Sequence, residues 1–107
     1  MAGKVRAIVK RPKEQYGHMT HISPTLENLQ KHVGGPIETY TRGDIVIICN
    51  EEGKLRHLPK NFYAGTFPFI DVFVGTVIVV GRGEEDFTDI PITFDAWKKI
   101  LNGWGNY

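Results

Sequence analysis

The chain is short of the residues that would staple a small protein together or anchor it elsewhere. One cysteine among 107 residues excludes an internal disulfide and a multi-thiolate metal centre. No apolar run reaches the roughly 18 residues of a membrane helix, because Ile70–Val80 is interrupted by Asp71, Gly75 and Thr76. Charge of one sign is lacking too: 13 Lys plus Arg against 12 Asp plus Glu leave a formal net charge of +1, with no bias toward nucleic acid or an acidic membrane surface. Met1–Lys10 carries charged residues where a signal peptide needs an apolar centre. Repeats, low-complexity stretches and linker-like segments are missing as well. The sequence therefore reads as a single domain over residues 1–107, expected in the cytoplasm, and 41% apolar residues are enough for its core.

What is present sorts into strands and two helices. Val5–Lys10 alternates in part and stops before Pro12, which predicts a first strand. Gln15–Ile22 is a second strand, hairpinned to the first. Ser23-Pro24 starts a helix, with Ser as cap and Pro in the first turn, and Leu26, Leu29 and Val33 give it one apolar stripe before Gly34-Gly35 ends it. Pro36–Thr41 and Ile45–Cys49 form a hairpin about Arg42-Gly43-Asp44. Thr93 caps a second helix with Phe94, Trp97, Ile100 and Leu101 on one face, ended by Asn102-Gly103. The predicted fold class is α+β: an antiparallel or mixed sheet of about five strands, with helices Ser23–Val33 and Thr93–Leu101 packed on it.

Ile45–Cys49 is apolar throughout, and Val72–Val80 nearly so, whereas a strand with one wet face alternates. Both faces of these strands ask for cover. Two helices cover one face, so either the irregular Leu55–Phe69 segment or a second subunit must cover the other, and a homodimer is one expected partner.

The most informative polar stretch is Cys49–Asn61. Asn50 and Gly53 are turn residues, and Glu51, Glu52, Lys54, Arg56, His57 and Lys60 are charges of mixed sign. A solvated turn explains them simply. As a site, Asn50, Glu51, Lys54 and Asn61 would hydrogen-bond a polar ligand while Tyr63 or Phe62 stacks on it.

At these residues a family resemblance emerges. Val33–Glu38, Cys49–Lys54 with Leu58-Pro59 and Asn61, and Asp71–Gly81 resemble the three landmarks of the domain-of-unknown-function family 3846, small proteins of phages, conjugative elements and Gram-positive bacteria. The resemblance runs from Val5 to about Leu101. It carries no activity, and implies a mobile-element accessory protein that antagonises host defence or binds a regulatory partner. Thr66–Ile70 and the tail Trp104–Tyr107 depart from the pattern.

Features suggestive of an enzyme are weak. Gly81-Arg82-Gly83 lacks the Lys and Ser or Thr of a phosphate loop and is followed by Glu84-Glu85-Asp86. Those acids, with Asp89, lack the spacing of a calcium loop and suit an exposed hairpin tip. His18 and His21 fall on opposite faces of a strand, so they are poor joint metal ligands, and Cys49 closes an apolar strand where a free thiol packs rather than reacts. No catalytic residue, metal site or cofactor is expected. The expected function is a non-enzymatic binding module of phage or mobile-element type, whose partner is a host protein or a polar, nucleotide-like small molecule. A regulatory nucleic-acid binder using Lys4, Arg6, Lys10, Arg11 and Lys13 is the alternative, and a small enzyme comes third.

Overall fold

A computed structural model describes residues 3–106; Met1, Ala2 and Tyr107, the last residue of the aromatic tail, lie outside the described residues. Among the described residues, the β-branched and aromatic runs build eight strands. β1 (Val5–Lys10), β2 (His18–Ile22), β3 (Ile37–Arg42), β4 (Ile45–Asn50), β7 (Val77–Arg82) and the two-residue β8 (Phe87–Thr88) form one antiparallel sheet in the order β2-β1-β7-β4-β3, with β8 added to β7. β5 (Lys60–Thr66) and β6 (Phe69–Val74) form a separate two-stranded sheet. The helices are α1 (Leu26–Val33) and α2 (Phe94–Trp104).

The central strands are buried on both faces, as their unbroken apolar runs require. One face presents Ala7, Val9, Val46, Ile48, Ile78 and Val80 to Leu29 and Val33 of α1. The other presents Ile8, Ile45, Ile47, Val77 and Val79 to α2 and the β5–β6 hairpin. There Phe62 is the hub, its ring centroid 5.2 Å from Phe73, 5.8 Å from Trp97 and 6.3 Å from Trp104. Trp97 is fully buried and donates its indole N–H to the Tyr16 carbonyl at 2.9 Å. Burying one such large apolar side chain contributes on the order of 1.5–3 kcal/mol.

The cover demanded for the second face thus comes from within the chain. Leu55–Phe69 is not irregular throughout: turns occupy residues 51–57, and regular pairing starts at Lys60. With its second face covered, the sheet gives the second-subunit argument no bare surface to rest on. The aromatic segment divides. Phe62 is core, while Phe67 and Phe69 are exposed at the β5–β6 turn, where the Phe67-Pro68 peptide is cis.

Three boundaries differ from the sequence expectation for physical reasons. Thr25, not Ser23, caps α1: its hydroxyl accepts from the Asn28 N–H, while the Ser23 carbonyl accepts from the Asn28 side chain. α2 runs past Asn102-Gly103 to Trp104, which stacks on Phe62, and it ends where Gly105 N–H donates to the Leu101 carbonyl. Thr93 caps it as expected, accepting from Ala96 N–H. Val72–Val80 is two strands, since Gly75 (φ +72°) turns the chain from the small sheet into the large one. A Cβ at Gly75 would lie 2.9 Å from Leu58 Cδ1, so the corner requires glycine both for its left-handed backbone and for the close approach.

Candidate functional site

The residues singled out around Asn50 and Asn61 do different jobs. Asn50 ends β4 and is nearly buried; its amide donates to the Val33 carbonyl at 3.1 Å and its Oδ1 accepts from Glu52 N–H at 2.7 Å. It ties the end of α1 to the turn after β4, which is a folding role. Glu51 and Lys54 join it along a pocket of about 170 Å³, whose other walls are Glu38, Tyr40, Cys49 and Val72–Val74. The Tyr40 hydroxyl donates to the Glu38 carboxylate, and that bond, with burial behind it, pushes the phenol up to about 12. Burial, aided by the Glu38 charge, pushes the Cys49 thiol up to about 11, so at neutral pH it is a protonated packing group. Two carboxylates against one ammonium make this pocket a poor seat for a phosphate.

Asn61 and Tyr63 do not line that pocket. Asn61 is fully buried, and its amide donates to the carbonyls of Lys10 and Gly75, both at 2.8 Å. Its Oδ1 accepts from Lys10 Nζ at 2.6 Å. Tyr63 is half-buried beside Gly105, whose carbonyl takes the Tyr63 backbone N–H. The five predicted site residues therefore split into a pocket wall, a structural clasp and a packed ring.

Lys10 is the surprise in that clasp. It is fully buried, with Nζ 5.8 Å from the Phe62 ring centroid, and desolvation brings its amine down from 10.5 to about 8, with Glu14 drawing it partly back. It is thereby withdrawn from the basic strip expected along β1. Arg6 is engaged as well, donating to the Ile90 carbonyl at 2.9 Å.

Two other members of that strip, Lys4 and Arg11, lie along a separate groove. A groove of about 330 Å³ lies between β2 and α1, and Lys4, Arg11, His18, His21 and His32 line it. Thr20, Ser23 and Asn28 add neutral polar groups, over a floor of Val9 and Ile22. Pairing explains the assembly: Val9 faces His18 and Ala7 faces Thr20 in the β1–β2 register, and buried Ile22 fixes which side of β2 turns toward α1. Among the described residues, no carboxylate lines this groove, and its aromatic rings are the three imidazoles. Nor do the described residues contain a group of three or more His, Cys, Asp or Glu placed to hold a metal ion. Sequence reasoning missed the groove because it weighed His18 and His21 only as a metal pair. The available signal was the two-residue period, which puts His18 and Thr20 on the same side as Ile22.

No helix among the described residues is long and apolar enough to cross a membrane. A family model described as "Domain of unknown function (DUF3846)" matches residues 5–101, the extent given above for the resemblance, with all three landmarks inside it. No curated protein and no solved structure matches the chain.

Proposed function

The chain belongs to the DUF3846 family, and from its geometry we propose that it is a non-enzymatic binding module that holds a polar, phosphate-bearing small ligand in the β2–α1 groove. One observation carries this reading: Lys4, Arg11 and three histidines, with no carboxylate among them, line one concave surface. Its volume falls at the small end of the roughly 300–1,000 Å³ typical of ligand pockets. Hydroxyls at Thr20 and Ser23 and the Asn28 amide supply neutral partners beside the charges. In a mobile-element protein, capture of such a ligand would remove it from host signalling. That is the form of host-defence antagonism this site suits.

The test is a thermal-shift screen of the full chain against nucleotides and cyclic dinucleotides, followed by titration calorimetry. A raised melting temperature that is lost in Lys4→Gln/Arg11→Gln supports the proposal. An unchanged melting temperature across the whole set removes its support.

A further inference from the structure

With both faces of the large sheet covered, its edges stay open, and from the β3 edge we propose that the chain pairs with a second copy of itself, β3 against β3, in a two-fold dimer with one continuous antiparallel sheet. Among the described residues, no strand pairs with the outer side of β3. Its six residues meet β4 without a register shift, and they include no proline or lysine to discourage a further strand. Tyr40 and the β-branched Ile37, Thr39 and Thr41 favour the extended backbone such pairing needs.

The sequence of β3 is complementary to itself. Ile37 packs on the α1 side of the sheet and Tyr40 on the β5–β6 side, so the two-residue period places Thr39 and Thr41 with Ile37, and Glu38 and Arg42 with Tyr40. A two-fold axis at Tyr40 sets Glu38 opposite Arg42 of the partner subunit, twice over by symmetry, and Thr39 opposite Thr41 of the partner subunit. Neighbouring registers fail. An axis at Thr41 sets Glu38 against Asp44 of the partner subunit, two like charges, and an axis at Thr39 sets Arg42 against Pro36 of the partner subunit. Glu38 accepts from the Tyr40 hydroxyl and Arg42 donates to Asp71 at 3.0 Å, and each keeps capacity for a second bond. The Arg42–Asp71 pair also holds the start of β6 beside this edge, where exposed Phe69 and Ile70 form an apolar shoulder that a second subunit would cover. β2, at the opposite edge, has no such match, since an axis at Thr20 sets His18 against a buried isoleucine, Ile22. The β2–α1 groove therefore stays open in the dimer, and the dimer does not depend on the ligand read there.

Sedimentation of the full chain from about 5 to about 500 µM tests this; short edges make small interfaces, so a dissociation constant on the order of 10–100 µM is expected. Glu38→Arg and Arg42→Glu should each weaken the dimer at least about tenfold by facing like charges, with circular dichroism confirming the fold. An equimolar mixture of the two should restore it, because in the mixed pair every charge again meets its opposite. Thr39 and Thr41 are exposed, so cysteine at either position spares the core. Thr39→Cys and Thr41→Cys chains, oxidised with copper phenanthroline, should cross-link at least about fivefold better when mixed than either does alone. Four results each overturn the inference: a chain still monomeric at the highest concentration, which would leave the edge to a strand of another protein; a dimer undiminished by both charge reversals; folded reversal variants that do not recover on mixing; or cross-linking no better in the mixture than alone.

Discussion

Replacing Asn61 by alanine removes three hydrogen bonds at once and strands the groups they served. Lys10 Nζ and the carbonyls of Lys10 and Gly75 would be left without the Asn61 side chain in a fully buried setting. An unpaired buried polar group costs about 1–3 kcal/mol, and a stranded charged one more. The expected loss for Asn61→Ala is therefore about 4 kcal/mol, a large part of the roughly 5–15 kcal/mol that holds a domain folded. Lys10→Met should act differently. It keeps the length of the side chain over Phe62 and deletes the ammonium, leaving only Asn61 Oδ1 without its donor, so a cost of about 1 kcal/mol or less is expected. In the double variant the methionine should recover about 2 kcal/mol of the Asn61→Ala loss, because no buried ammonium remains to be stranded. Urea denaturation followed by circular dichroism at pH 7 reads all three. Asn61→Ala within 1 kcal/mol of the native chain, or strictly additive losses in the double variant, would refute the clasp.

The same amine sets a pH dependence. Between about 8 and 10.5 the unfolded chain holds the Lys10 proton and the folded chain has released it, so stability from this group should rise with pH across that window. Cys49 and Tyr40 act in the opposite sense at higher pH, since folding raises both, and subtracting the Lys10→Met curve isolates the lysine. A difference curve that is flat from pH 8 to 10.5 contradicts the assignment. Gly75→Ala should cost roughly 1–3 kcal/mol through its positive φ and the contact with Leu58, read as a lower urea midpoint. Cys49 should label slowly with iodoacetamide in the native state at pH 7 and quickly in urea; rapid native labelling would show that the thiol is not the buried, protonated group described. Thr25→Ala and Thr93→Ala should each lose about 1 kcal/mol by removing a helix cap, and a loss at only one would show that the other helix does not depend on its hydroxyl.

Much of the fold was legible because its signals are local. The β3–β4 hairpin, the apolar stripe of α1 and the Thr93 cap are each written in a short stretch of neighbouring residues. The unbroken runs in β4 and β7 announced cover on both faces, and the structure supplies it. The identity of that cover was not legible. Whether the second half of Leu55–Phe69 pairs with the segment up to Val74 depends on Gly75 bending the chain, and an isolated glycine in an apolar run reads equally as a bulge. The site was less legible still. Lys10 and Asn61 are 51 residues apart and joined by 2.6 Å, so nothing near either one marks it as buried. His32 and His18 come to line one groove only through the tertiary fold, which no spacing between the two encodes.

The strand order has a consequence for how the chain comes to be folded. β1 with β2 and β3 with β4 are two hairpins of neighbouring sequence, and neither touches the other within the sheet. β7 alone lies between them, paired to β1 on one side and β4 on the other, and it begins at residue 77. A ribosome that has released three quarters of the chain has thus released, besides the β5–β6 hairpin, two separate ribbons of the large sheet with exposed inner edges. Insertion of β7 completes the sheet, and α2 then closes the second face. Such long-range pairing is slow by nature, and the nascent protein is most open to stray strand pairing just before its keystone arrives.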